Sequence, residues 1–158
     1  DNHSVEFVYD DGTVISSQCR HFTGGANRVD ESFQGTKGKV YFDSNNNGKI
    51  WDHKGKVLVD YVGKNDANPY QTEHDELFAA ITANEYKFAD AENAAKSTMT
   101  AIMGRYATYS GDIIKWDDAL NSPISLFPER LAWDAMPKVL PDANGNYPFA
   151  IPGVTKVI

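Results

Sequence analysis

From Val5 to Val62 apolar and polar residues alternate in short runs, and turn residues interrupt the alternation every few positions. Val5-Glu6-Phe7-Val8-Tyr9 alternates, Asp10-Asp11-Gly12 turns, and Thr13 to Phe22 returns. An Asp-Gly pair between alternating runs marks a hairpin, because glycine takes a positive φ without a Cβ clash. Gly24-Gly25 breaks the chain, Asn27 to Gln34 is a third strand, and Gly35-Thr36-Lys37-Gly38 is a tight turn. Lys39–Phe42 and Lys49–Trp51 flank a second hairpin at Asn45-Asn46-Asn47-Gly48, and Lys56 to Val62 closes the set. The pattern predicts a meander of short antiparallel strands over residues 5–62.

The period then changes. Asn68-Pro69-Tyr70-Gln71 opens a helix, with a capping asparagine and proline at the first helical position. Leu77, Phe78 and Ile81 form its apolar stripe, which predicts a helix near 69–83. Ala95, Met99, Ile102, Met103 and Tyr106 recur at helical spacing, and Gly111 is the stop, which predicts a second helix near 91–109. Strands followed by helices give an α+β fold: a mainly antiparallel sheet with two helices on one face. Burial of Leu77, Phe78, Ile81, Met99, Ile102 and Tyr106 is expected to supply much of the core.

Residues 121–158 break both periods. They hold six of the seven prolines, Pro123, Pro128, Pro137, Pro141, Pro148 and Pro152, a density that forbids regular elements. Leu126, Phe127, Trp133, Met136, Tyr147, Phe149 and Ile151 are nevertheless too apolar for a solvated linker. An extended arm lying on the domain or on a neighbour reconciles the two facts. The expected division is therefore an α+β domain over 1–122 and an arm over 123–158.

Composition narrows the function classes. With 41% hydrophobic residues the chain should fold, and no apolar run approaches the roughly 18 residues of a membrane helix. A net charge of −7 argues against nucleic acid, whose phosphates require a basic face. The single Cys19 excludes an internal disulfide framework and a cysteine-based metal site, and is compatible with a cytosolic or an exported protein. The chain begins at Asp1 without a methionine or a leader and enters a strand by Val5, so it reads as a fragment of a longer protein.

Candidate chemistry is sparse. Asp43-x-Asn45-x-Asn47-Gly48 copies the first half of a calcium loop, but Lys54 occupies the position of the bidentate carboxylate, so an Asn-Gly hairpin is the better reading. Gly24-Gly25 and Gly35-Thr36-Lys37-Gly38 match no phosphate loop. Alternation puts Val14, Ser16, Gln18 and Arg20 on one strand face, and Arg28, Asp30, Ser32 and Gln34 are polar too. Such a polar face can hydrogen-bond the hydroxyls of a sugar or pair with another subunit, with Arg20 as a forked donor. His74 lies one turn before Phe78, as a ligand contact or as a buried imidazole bonded to backbone, and the structural reading is favoured. Gln18, Arg20, Asp30 and His74 are the candidate substrate-binding residues. No catalytic, cofactor or metal residue is identified.

Several runs resemble one family. They are Ser17-Gln18-Cys19-Arg20, Gly35-Thr36-Lys37-Gly38, Glu73-His74-Asp75-Glu76-Leu77-Phe78-Ala79-Ala80-Ile81, Ala94-Ala95-Lys96-Ser97-Thr98-Met99-Thr100-Ala101-Ile102, Tyr106 to Ser122, and Pro152-Gly153-Val154-Thr155-Lys156. Their order and spacing resemble the C-terminal α/β domain of the glucose–fructose oxidoreductase, inositol dehydrogenase and MocA family (Gfo/Idh/MocA), in the branch common in bacteria that degrade glycans.

The resemblance implies a bacterial NAD(P)-dependent oxidoreductase, a dehydrogenase acting on a sugar or polyol, of which this chain is the substrate-binding and oligomerisation domain. NAD or NADP would be bound by an N-terminal Rossmann domain. The glycine-rich fingerprint, the Glu-Lys-Pro signature and the Asp-x-x-x-His catalytic segment of the family precede the region matched here, so the chain alone is expected to bind no cofactor and to transfer no hydride. The implied partners are the sugar, the Rossmann domain and further copies in a homo-oligomer, with no nucleic acid and no membrane. Two alternatives stay open: the same domain of a glycosidase that uses NAD in a redox mechanism, and a non-enzymatic sugar-binding or assembly module.

Overall fold

The structure is a computed structural model and describes residues 2–158. The chain is α+β, with two antiparallel sheets and three helices. In order the elements are β1 (Asn2–Val8), β2 (Val14–Arg20), β3 (Asp30–Gly35), β4 (Gly38–Asp43), β5 (Gly48–Asp52), β6 (Val57–Tyr61), α1 (Pro69–Thr82), α2 (Ala91–Ser110) and α3 (Trp116–Leu120). The chain divides into two compact units, one of Asp1–Phe22 with Asp90–Ile158, the other of Thr23–Ala89. This partition differs from the expected 1–122 and 123–158: the proline-rich segment falls in the first unit, and a middle stretch forms a unit of its own. No described helix is long and apolar enough to cross a membrane.

In the first unit β1 and β2 pair from Asn2↔Arg20 to Val8↔Val14. Every second residue of β1 is half-buried, namely His3, Val5 and Phe7, and this face meets α2. Gly104 makes the approach possible: a Cβ there would stand 3.0 Å from Phe7 Cζ. Met99, Ile102 and Tyr106 on α2 are half-buried. Gly111 ends α2 in the left-handed region at φ 77°, its N–H bonded to Ala107 O. The chain returns to this point at its far end, where Gly153 N–H donates to Ser110 O at 2.5 Å. Residues 123–158 contain no helix or strand.

In the second unit β3-β4-β5-β6 form a four-stranded meander. Gly38 is obligatory there, since a Cβ would fall 2.0 Å from Trp51 O. Two hairpins share one device. The Asp43 carboxylate accepts the N–H groups of Asn45 and Asn47, and that of Asp52 accepts those of Lys54 and Lys56. In each loop the fourth residue, Asn46 or Gly55, takes a positive φ and the first N–H bonds the fifth carbonyl at 3.0 Å. Asp142–Asn146 in the first unit repeats the same loop, with Gly145 at φ 82°.

Helix α1 starts as expected, with Asn68 Oδ1 accepting from Tyr70 N and Gln71 N and proline in the first turn. Its packing differs from the expectation. No residue of α1 comes within 8 Å, Cα to Cα, of a strand of its own unit, and Leu77, Phe78 and Ile81 remain 42%, 62% and 63% exposed. These three residues therefore supply no core, because no sheet lies under their stripe; only Ala80 of this helix is buried. The single expected sheet is likewise two sheets, each with open edges.

Candidate functional site

Residues directly opposite in an antiparallel pair share a face. His3, Val5 and Phe7 lie opposite Cys19, Ser17 and Ile15, so these six form the face toward α2. Gln18 and Arg20, opposite Ser4 and Asn2, lie on the other face with Glu6 and Ser16. This face is polar and exposed. The Arg20 guanidinium stands 5.3 Å from the centroid of the Phe22 ring, a cation–π placement.

Asp30 is held by two donors. Arg28 Nε donates to its Oδ2 at 2.5 Å and Tyr41 OH to the same oxygen at 3.0 Å, and the carboxylate is 14% exposed. The Arg28 hydrogen bond, aided by the Tyr41 hydroxyl, holds the Asp30 carboxyl below its ordinary pKa. In return the bond to Asp30 raises the Tyr41 phenol. Both donors fall on Oδ2, so Oδ1 is the acceptor left for a ligand hydroxyl. His74 Nδ1 lies 2.7 Å from Tyr70 O; a carbonyl only accepts, so Nδ1 carries the donated proton. The backbone bond is the one the structural reading expected, but the imidazole is exposed rather than buried.

The structure groups Gln18 with Arg20 on one sheet face. Asp30 and His74 stand on separate elements of the other unit, and no hydrogen bond joins them. What these side chains offer is a set of hydroxyl-directed donors and acceptors, with no nucleophile–base pair. Among the described residues no group of three or more His, Cys, Asp or Glu is placed to hold a metal ion. The Asp43 carboxylate is instead committed to its own loop, where the Asn47 amide and the Asn45 N–H hold its pKa down.

Sequence reasoning passed over His3. Its Nδ1 lies 2.7 Å from Thr108 Oγ1, and that hydroxyl also reaches Gly104 O and Arg105 O at 3.1 and 3.0 Å. One hydroxyl proton serves the helix carbonyls, so His3 Nδ1 donates to Oγ1. The His3 ring stacks on Tyr109 at 6.0 Å, and the Arg105 guanidinium covers Tyr109 at 4.7 Å. The available signal was the alternation that puts His3 in phase with Val5 and Phe7. Comparison of the chain with protein-family models, with curated proteins and with solved structures returns no match.

Proposed function

We propose that this chain is the substrate-side and assembly domain of an NAD(P)-dependent oxidoreductase acting on a sugar or polyol, working together with a dinucleotide-binding domain. The observation that carries the assembly half is exposed area. The chain presents 13809 Å² to solvent, whereas a compact monomer of 17.5 kDa exposes about 7,900 Å², and two separate compact units of half that mass about 9,500 Å². Apolar side chains share in it: Ala80, Ala119 and Val157 are the only buried hydrophobic residues among those described. Surface of this extent and character is surface to be covered. In the proposed protein, the α1 stripe and the open sheet faces are covered by the dinucleotide-binding domain and by further copies.

The substrate half is supported by the polar face of β1–β2 and by Asp30, whose fixed carboxylate and open Oδ1 suit a hydroxyl. The decisive assay uses the protein with its dinucleotide-binding domain and a panel of sugars and polyols. Net production of NAD(P)H that falls at least tenfold in kcat/KM on Arg20→Ala or Asp30→Ala is the expected result. Release of sugar from an aryl glycoside without net NADH would identify the redox glycosidase instead. Neither activity, or micromolar NADH binding by the isolated chain in calorimetry, would overturn the proposal.

A further inference from the structure

We propose that the segment after α3 is a self-complementary contact through which two copies of this chain pair about a two-fold axis. The inference rests on the assembly reading above and names where in the chain one such contact is made.

The segment is a loop closed at its base. It leaves from α3, which packs against α2, and returns at Pro152–Gly153, where Gly153 N–H bonds Ser110 O. It is braced within, by Lys138 Nζ on Ser125 O at 2.9 Å and by the Asp142–Asn146 loop. Much of its freedom is therefore lost before any partner arrives, which lowers the entropic cost of docking.

Its apolar side chains face outward. Phe127 is 70%, Trp133 108%, Tyr147 60% and Phe149 83% exposed. At 150–250 Å² per aromatic side chain, these four offer about 600 Å². A stable interface takes about 800 Å² from each partner, and Leu126, Leu131 and Met136, all more than half exposed, supply the remainder.

The occupant follows from shape and charge. A two-fold contact uses the same patch on both partners, so the patch must hold both projection and recess. Trp133 is the projection. The recess is the open hollow of about 440 Å³ beside it, lined by residues that include Pro128, Arg130, Asp134, Met136 and Lys138. Charge agrees: residues 123–158 carry Glu129, Asp134 and Asp142 against Arg130, Lys138 and Lys156, so the segment is neutral in a chain of net charge −7. Two copies meet here without the like-charge repulsion that the rest of the chain imposes. Arg130 and Asp134 form an exposed ion pair at 3.0 Å. A two-fold axis between them sets each charge against its opposite on the other copy.

The test is sedimentation velocity on the 158-residue chain from micromolar to near-millimolar concentration. Arg130→Asp leaves two acids at the contact and Asp134→Arg two bases, so each variant alone is expected to stay monomeric. An equimolar mixture is expected to dimerise, which repair of an ion pair within one chain cannot produce. Trp133→Ser is expected to raise the dimer Kd at least about thirtyfold, the scale of an interface hot spot. Self-association that is unchanged by Trp133→Ser and by either charge variant overturns this inference alone and leaves the assembly reading in place. A wild-type chain that is monomeric throughout overturns the inference together with the self-association part of that reading.

Discussion

Gly111→Ala probes how the C-terminal segment is held to α2. Gly111 sits at φ 77°, where a residue with a Cβ loses roughly 1–2 kcal/mol. The added Cβ would also lie 3.1 Å from Pro152 Cβ and 3.3 Å from Gly153 N. Relieving that crowding moves Gly153 away from Ser110 O and weakens a hydrogen bond worth about 0.5–1.5 kcal/mol. The expected total is about 2–3 kcal/mol. Gly12→Ala is the control: Gly12 lies in the same unit at φ 85° with nothing within 4 Å of its would-be Cβ, so it carries the backbone cost alone. Thermal unfolding followed by far-UV circular dichroism should place Gly111→Ala about 4–8 °C below Gly12→Ala, the shift for about 1 kcal/mol in a unit of this size. Proteolysis within residues 123–150 should also run about fivefold faster in Gly111→Ala. Equal melting temperatures for the two variants, with unchanged proteolysis, would refute the anchoring of the segment at Ser110–Gly111.

Gly38→Ala should destabilise the four-stranded unit by about 3 kcal/mol, the upper end of overpacking costs, because the Cβ meets Trp51 O at 2.0 Å; Trp51 fluorescence reports it, and an unchanged transition would show that the strands shift freely. Asn68→Ala removes the α1 cap and should cost about 1 kcal/mol, read as faster amide exchange at the start of a helix with little packing to hold it; unchanged exchange would show that the cap contributes nothing. Acid should act through Asp30, Asp43, Asp134 and Asp142, whose carboxyls are held below their ordinary pKa by Arg28, by Asn47, by Arg130 and by the Asn146 N–H respectively. Because each folded-state pKa lies below the unfolded one, this stability is complete above about pH 5 and is lost as pH falls through about 4 and below. A melting temperature that instead declines between pH 7 and 5 would contradict that assignment.

The strands and helices were legible because each is written locally. The Asp-Gly and Asn-Gly turns place hairpins where the structure has them, and Asn68-Pro69 and Gly111 bound their helices to within a residue or two. Alternation also assigned Gln18 and Arg20 to one face. It could not say which strands pair: β2 and β3 both alternate, yet they lie in different sheets. Nor could periodicity say what lies under a stripe. Leu77, Phe78 and Ile81 read the same whether a sheet covers them or not, and here none of their own unit does. Asp52 was missed because its loop lacks the Asn-Gly pair, and Asp142 because its Asn144-Gly145 stands between prolines rather than between alternating runs, although the aspartate four residues before the loop's end is the working part in both. Asp30 shows its partners only in space, since Tyr41 reaches it from the neighbouring strand.

The central claim is that the open apolar faces of this chain are completed by other protein. Hydrogen exchange at the amides of α1 tests it most directly. In the chain alone, α1 has an exposed apolar stripe and should exchange rapidly. In a protein that also carries the proposed dinucleotide-binding domain, the expected result is protection of residues 74–82 by at least about a hundredfold, as burial of Leu77, Phe78 and Ile81 adds several kcal/mol to opening. Identical exchange rates in the two forms would contradict it.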